Sequence, residues 1–252
     1  MALQLKTIRM DASSLIEPPA AKHVLWTSIT LSFAAGFADT TTFIAGNETF
    51  SAHVTGNFII FGAKLMGQQA DQHSWMSLLT FPVFVIAVMT GGWWVSRGRT
   101  PRSLLLLESL LLLLAGITAC VLSIWKGQHT NINVIVVMMA VVAMGFQNCF
   151  SRLAASFTFG QTTVMTGNVT QAALAIREYL AQRNNGSALT KLKQQAVLVG
   201  GFSSGCVAGA FLGGWLGLTA LVLPGLIMST CYLLHDQLDN ASTRSTFNKT
   251  IK

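Results

Sequence analysis

Charge is what this sequence has least of. Lysine and arginine number 16 and aspartate and glutamate 9, together 10% of 252 residues, while 52% are hydrophobic. Soluble domains carry about a quarter charged residues, so a water-exposed globule is excluded. Cysteine is also sparse. Cys120, Cys149, Cys206 and Cys231 all fall inside apolar runs. None makes a CxxC pair or has a histidine at metal-ligand spacing, so they read as small buried residues and no metal site is expected. There is no HExxH and no pair of carboxylates at hydrolase spacing, so no catalytic residue and no cofactor is expected. The net charge of +7 sits in short segments between apolar runs and is not interleaved with aromatics. That pattern speaks against nucleic acid and for topology signals flanking membrane spans.

What the chain has instead is apolar length. Runs that can span a bilayer lie at about 24–45, 75–96, 103–125, 133–157, 195–216 and 217–235, because about 20 helical residues cross a hydrocarbon core of about 30 Å. The first run is too long for the core of a signal peptide and reads as an uncleaved span. The predicted fold class is therefore an all-α integral membrane protein. Residues 1–22 are expected to form a cytoplasmic N-terminal tail, 23–235 a single membrane domain and 236–252 a cytoplasmic C-terminal tail. Two further stretches, Thr55–Gly67 and Thr166–Gln182, fall short of a clean span.

Those two stretches open alike, with Thr55-Gly56-Asn57 and Thr166-Gly167-Asn168. Their surroundings repeat as well. Gly36-Phe37-Ala38-Asp39 lines up with Gly145-Phe146-Gln147-Asn148, and Phe84 followed by Gly91-Gly92-Trp93 lines up with Phe202 followed by Gly213-Gly214-Trp215. Landmarks in one order with slowly drifting offsets indicate a duplication, with repeat 1 at about 23–125 and repeat 2 at about 133–235.

Charge then orients the halves. If each TGN segment dips into the membrane and returns, there are about six transmembrane helices, two re-entrant half-helices and two inverted repeats. Arg97, Arg99, Arg102, Arg152, Arg177, Arg183, Lys191 and Lys193 then lie on the cytoplasmic side with both termini. Eight crossings with parallel halves would force Arg97–Arg102 outside, so the inverted arrangement is favoured. Residues 46–54, fully extended, reach about 30 Å, and a 13-residue helix climbs back about 20 Å. Thr55 and Thr166 would cap the half-helices, while Gly56 and Gly167 allow close approach of the backbone. Asn57 and Asn168 would then meet near the midplane, where positive helix ends hold a polar or anionic solute. These six residues are the expected solute-binding set.

Four more polar residues lie inside or at the ends of spans. Glu108 sits in a run of leucines, costly in lipid and therefore a coupling candidate, unless it reaches water or an arginine of the 97–102 loop. Asp39 and its neutral counterpart Asn148 suit an asymmetric coupling site or ordinary helix-end hydrogen bonding. Arg152 reads as a cytoplasmic anchor or as a counter-charge. His53 has no counterpart in the second half and is expected to be a loop histidine without a role. The glycines at Gly200, Gly201, Gly205, Gly209, Gly213 and Gly214 have the spacing of tightly packed helices.

The strings GFAD…AHVTGNFIIFGAKL and MGFQN…RL…TTVMTGNVTQ closely resemble the YoaK family of bacterial membrane proteins, over about 24–235. The resemblance implies a multi-span helical fold in the bacterial inner membrane. It supplies no substrate, cofactor or catalytic residue. The functional expectation therefore comes from the residues: a transporter or channel for a small polar or anionic solute, in contact with the lipid bilayer, with homo-oligomer formation left open. The alternative is a non-transporting scaffold or accessory subunit that binds a protein partner.

Overall fold

The computed structural model describes residues 21–66, 75–126, 130–181 and 186–233; the expected tails, apart from residues 21–22, lie outside them. The helices are α1 (Ala21–Ala45), α2 (Gly56–Met66), α3 (Trp75–Ser96), α4 (Ser103–Lys126), α5 (Thr130–Leu153), α6 (Met165–Ala181) and α7 (Gly186–Leu216). A last helix, α8, covers 222–233. No strand occurs among the described residues. Four helical stretches are long and apolar enough to cross a membrane, the fourth being the continuous run Gly186–Leu233. The chain is an all-α, multi-pass membrane protein.

Three boundaries differ from the sequence expectation. α5 ends at Leu153, not 157, and Ala155–Phe157 form a separate 3₁₀ turn. α7 begins at Gly186, nine residues before the apolar run, because 186–194 continues the helix with polar residues. The run after Leu216 first makes a 3₁₀ turn over Gly217–Leu221, entered through Gly217 at φ 59°. That left-handed conformation is cheap only for glycine and separates α7 from α8.

The helices interlock crosswise. Gly201, Gly205, Gly209 and Gly213, one helical turn apart, face Ile29, Phe33, Phe37 and Thr41 in the same order, so α7 and α1 run in the same direction. A β-carbon on Gly205 would overlap the Phe33 carbonyl oxygen, and one on Gly209 would come within 2.5 Å of the Phe37 oxygen. Small residues let these backbones touch, which supplies packing that apolar contact with lipid cannot. α3 and α5 pair in the same sense, with Gly145 against Ala87 and Phe84, and Gly91 against Phe146 and Cys149. The third helix of each repeat thus lies against the first helix of the other.

α1 and α5, the duplicated first helices, run in opposite directions. Gly46 at the end of α1 faces Val137 near the start of α5, while Gln147 late in α5 donates to the Leu31 carbonyl oxygen at 2.8 Å. The repeats are therefore inverted. α4 and α8 meet reciprocally, Gly116 against Val222 and Gly225 against Leu113, two pairs that exchange under one shift of 109 positions. The same shift relates Gly36 to Gly145. The carbonyls of Phe84 and Phe202 abut those two glycines, 118 positions apart. By the same packing Gly91 corresponds to Gly209, not Gly213, so the Gly-Gly-Trp alignment was one helical turn out of register.

The interior is uneven in polarity. α1 buries Ser28, Ser32, Asp39, Thr41 and Thr42 beside Leu31, Ala34, Ala35 and Phe37. α3, by contrast, leaves Phe81, Ile86, Met89 and Trp93 exposed as a lipid-facing side. α1 and α5 form the polar-lined centre, and the more apolar helices surround them.

Candidate functional site

Each TGN asparagine holds the loop that leads into its own helix. Asn57 is fully buried; its Oδ1 accepts from the Phe50 amide at 2.9 Å, and its Nδ2 donates to the Phe50 carbonyl at 2.8 Å and to Thr80 Oγ1 at 2.9 Å. Asn168 donates to the Gln161 carbonyl at 2.7 Å, again seven residues back. An amide can satisfy a donor and an acceptor at once, which a buried, irregular loop requires. Thr55, Thr166 and Gly167 are exposed and Gly56 is half-buried. Neither threonine caps a helix: α6 already begins at Met165, and Thr166 only offers its carbonyl to Thr170.

The preceding loop is tied to the first helix of each repeat. Asp39 accepts from the Ala52 amide at 2.6 Å and the His53 amide at 3.3 Å, and its second oxygen meets His53 Nδ1. In the other half Asn148 donates to Thr163 Oγ1 at 2.7 Å, and Gln147 donates to Thr162 Oγ1 at 2.8 Å. The latch is duplicated, but only repeat 1 carries charge. His53, in the connecting loop, has its imidazole held above the ordinary 6.5 by the Asp39 hydrogen bond, with burial opposing. Sequence reasoning gave His53 no role; the only available signal was its place fourteen positions beyond an acid, which no motif encodes.

The loop is compact, not extended. Asn47 and Glu48 both take left-handed φ, 57° and 56°, and the chain doubles back from Ala45 to the level of Asp39. Six helical residues span about 9 Å. Lys64, seven residues after Asn57, returns to the start, donating to the Asn47 carbonyl at 3.2 Å and pairing with Glu48 at 3.3 Å. The excursion is thus about 10 Å deep, shallower than an extended chain would reach. α2 packs on α3 and α6 on α7, and the two TGN helices do not pack on one another. Both loops reach α7, where the His53 and Phe202 ring centroids lie 5.5 Å apart and Gly160 faces Leu198, one turn earlier.

Around that level the interior is polar and short of donors. Ser32 Oγ, Gln147 Oε1, Gln161 Oε1 and Gln195 Oε1 are buried without a hydrogen-bond partner among the described residues. The orientation of Gln147 is fixed because its Nε2 faces the Leu31 carbonyl, and that of Gln161 because its Nε2 faces the Ser151 carbonyl at 3.3 Å. Their free atoms are therefore acceptors. Glu108 is also fully buried on α4, with both oxygens unpartnered. It is closed off from the surface and pairs with no arginine among the described residues. Arg152 is exposed on the last turn of α5, where a cation complements the helix dipole.

The two ends of the central bundle differ. At the end formed by the C-termini of α1 and α4 and the start of α5, a cavity of about 570 Å³ opens between Ile44, Asn47, Glu48, Ser123, Asn133 and the turn Gly213–Thr219. None of the TGN residues lines it. The related end, where α1 and α4 begin and α5 and α8 finish, holds a gap of only about 10 Å³ between Thr27, Arg102, Leu105, Phe150, Phe157 and Tyr232. Arg102 stacks over Phe157 there at 4.6 Å. Arg97 and Arg99 stack on Trp93 and Trp94 nearby.

The fold and this interior define a helical, multi-pass membrane protein of two interlocked inverted repeats. Within that class the chain belongs to the family described as protein of unknown function (DUF1275), whose model matches residues 27–234, in keeping with the YoaK resemblance. No curated protein and no solved structure matches it.

Proposed function

We propose that this protein is a membrane transporter for a small polar solute that works by alternating access. The observation that carries the reading is the contrast between the two ends of the bundle. Inverted repeats make both ends chemically equivalent in plan, yet among the described residues one holds a cavity of about 570 Å³ and the other a gap of about 10 Å³. One sequence-related pair of ends in two states is what a rocking inverted-repeat carrier presents at any instant.

The helix directions support six crossings. α1 and α3 run oppositely, as do α5 and α7, so α2 and α6 each start and finish on one side as re-entrant hairpins. Irregular backbone survives at such depth only where protein or a polar cavity covers it, and the Asp39 and Asn148 latches provide that cover. Arg97, Arg99, Arg102, Arg152 and Lys191 gather at the closed end, which supports a cytoplasmic side for it and for both termini. The membrane is the bacterial inner membrane.

The solute is read from the interior. Gln147 Oε1 and Gln161 Oε1 are buried acceptors without a partner among the described residues, their orientation fixed by the bonds of their Nε2 atoms. Unpaired acceptors in a low-dielectric interior favour a guest that brings N–H or O–H groups, so the solute class narrows from anionic toward neutral or cationic hydrogen-bond donors.

The test is flux into proteoliposomes of glycerol, urea and methylammonium against formate and nitrate, with wild type and Ala119→Trp, which fills the open cavity. Faster entry of a donor solute that Ala119→Trp abolishes supports the reading. Equal, slow entry of all five, with a protein partner retained through purification, makes the chain a scaffold instead.

A further inference from the structure

We propose that Glu108 is a proton-binding site, and that it is the acid through which this transporter is coupled to protons; the coupling rests on the alternating-access reading. Glu108 is fully buried within α4, on the same stripe as the buried Leu104, Leu105, Leu112 and Ala115. Neither carboxyl oxygen has a hydrogen-bond partner among the described residues. A bare carboxylate in such surroundings is unaffordable by any solvation account; the group becomes neutral instead. The ligand that fits two unpartnered oxygens with no room around them is a proton.

Its position gives the proton a use. Leu105, one turn before Glu108, and Thr27, one turn before Thr30, both line the closed end. Cys231 on α8 lies beside Thr30 and near Glu108. The other titratable groups on the surrounding helices at this end are Tyr232 on α8, Cys149 and Arg152 on α5, Lys22 and His23 on α1, and Arg102 at the head of α4. Glu108 therefore lies one helical turn above the plug made by Arg102, Phe157 and Tyr232. Separating that plug admits water to the carboxyl group. The O–H bond then breaks, the proton passes to water, and the carboxylate left behind is hydrated and faces the arginine-rich end. Resealing the plug requires the proton back. The acid thus ties closure of this end to proton binding, whereas repeat 2 has Gly217 at the position 109 residues on and carries no such group.

The experiment is infrared spectroscopy of the purified full chain in lipid bilayers, reading the carbonyl band of a protonated carboxylic acid. At pH 7 the wild type should show the band, Glu108→Gln should lose it, and Glu108→Asp should retain it at a shifted frequency. Loosening the plug by Phe157→Ala, or by Tyr232→Ala if the first variant does not fold, should lower the protonated fraction at pH 7 by about two-fold or more. No band at pH 7, or a band that survives Glu108→Gln, overturns the site. A band unmoved by both plug variants leaves a neutral acid inert in the core and overturns the coupling. Solute flux enters neither arm, so the proton site can fail while transport stands, and the reverse.

Discussion

The two halves of this protein solve one problem with different chemistry. Each must hold an irregular loop inside a helical body, and each ties it to the end of its first helix and to the asparagine seven residues on. Repeat 1 does so with a carboxylate that gathers the Ala52 and His53 amides and the His53 ring. Repeat 2 uses the neutral Gln147, Asn148, Thr162 and Thr163. The fold needs only hydrogen bonds at this place, as repeat 2 demonstrates. The charge in repeat 1 is therefore an addition to the latch, placed on the side of the open cavity, and it raises the proton affinity of the His53 imidazole in that one loop.

The largest contrast should come from the crosswise helix pairs. Gly205→Ala drives a β-carbon into the Phe33 backbone, whereas Gly91→Ala meets the side chains of Phe146 and Cys149 at 3.1–3.3 Å. Backbone cannot yield as side chains do, so Gly205→Ala should cost about 3 kcal/mol and Gly91→Ala about 1 kcal/mol or less, read as thermal unfolding in detergent. Equal losses would contradict the difference between a backbone contact and a side-chain contact on which the prediction rests.

A smaller difference is expected between the TGN asparagines. Asn57→Leu strands the Phe50 amide and carbonyl together, at about 2–4 kcal/mol, while Asn168→Leu strands one carbonyl, at about 1–2 kcal/mol. The same melting assay ranks them, and a reversed order would contradict the latch geometry.

The subtlest test exchanges the charge. Asp39→Asn keeps an acceptor for the Ala52 amide and so should fold. Because Asp39 raises the proton affinity of His53, the wild-type pairing is complete below the ordinary 6.5 and fades as pH rises through the raised value. Asp39→Asn should flatten that decline, and Asn148→Asp should not reproduce it, since no histidine faces it. A wild-type melting profile already flat above pH 6.5 would remove the proton-responsive role.

Much of this was legible in the sequence. The apolar runs gave α3 and α4 nearly to the residue, and the paired TGN starts gave the duplication. The start of α7 was hidden because 186–194 is helical but polar, and run length detects only lipid-facing helix. The register of α7 against α3 was ambiguous for a physical reason: Gly201, Gly205, Gly209 and Gly213 recur every turn, so motif matching has no way to choose among them, and only the partner helix fixes the choice. The Asp39–His53 pair depends on a chain reversal through two left-handed residues, Asn47 and Glu48, which carry no glycine to announce it. Glu108 was visible from the start, because an acid among leucines has few ordinary explanations.

The inverted, six-crossing arrangement is best tested by sidedness. Single cysteines at Glu48 and Arg99, in a chain lacking the four native ones, would be exposed in intact cells to an impermeant maleimide. Labelling of Glu48→Cys from outside, with Arg99→Cys reached only after permeabilisation, is the predicted result. Labelling of both from outside would mean that α2 crosses the membrane and that the halves are parallel, contradicting the account.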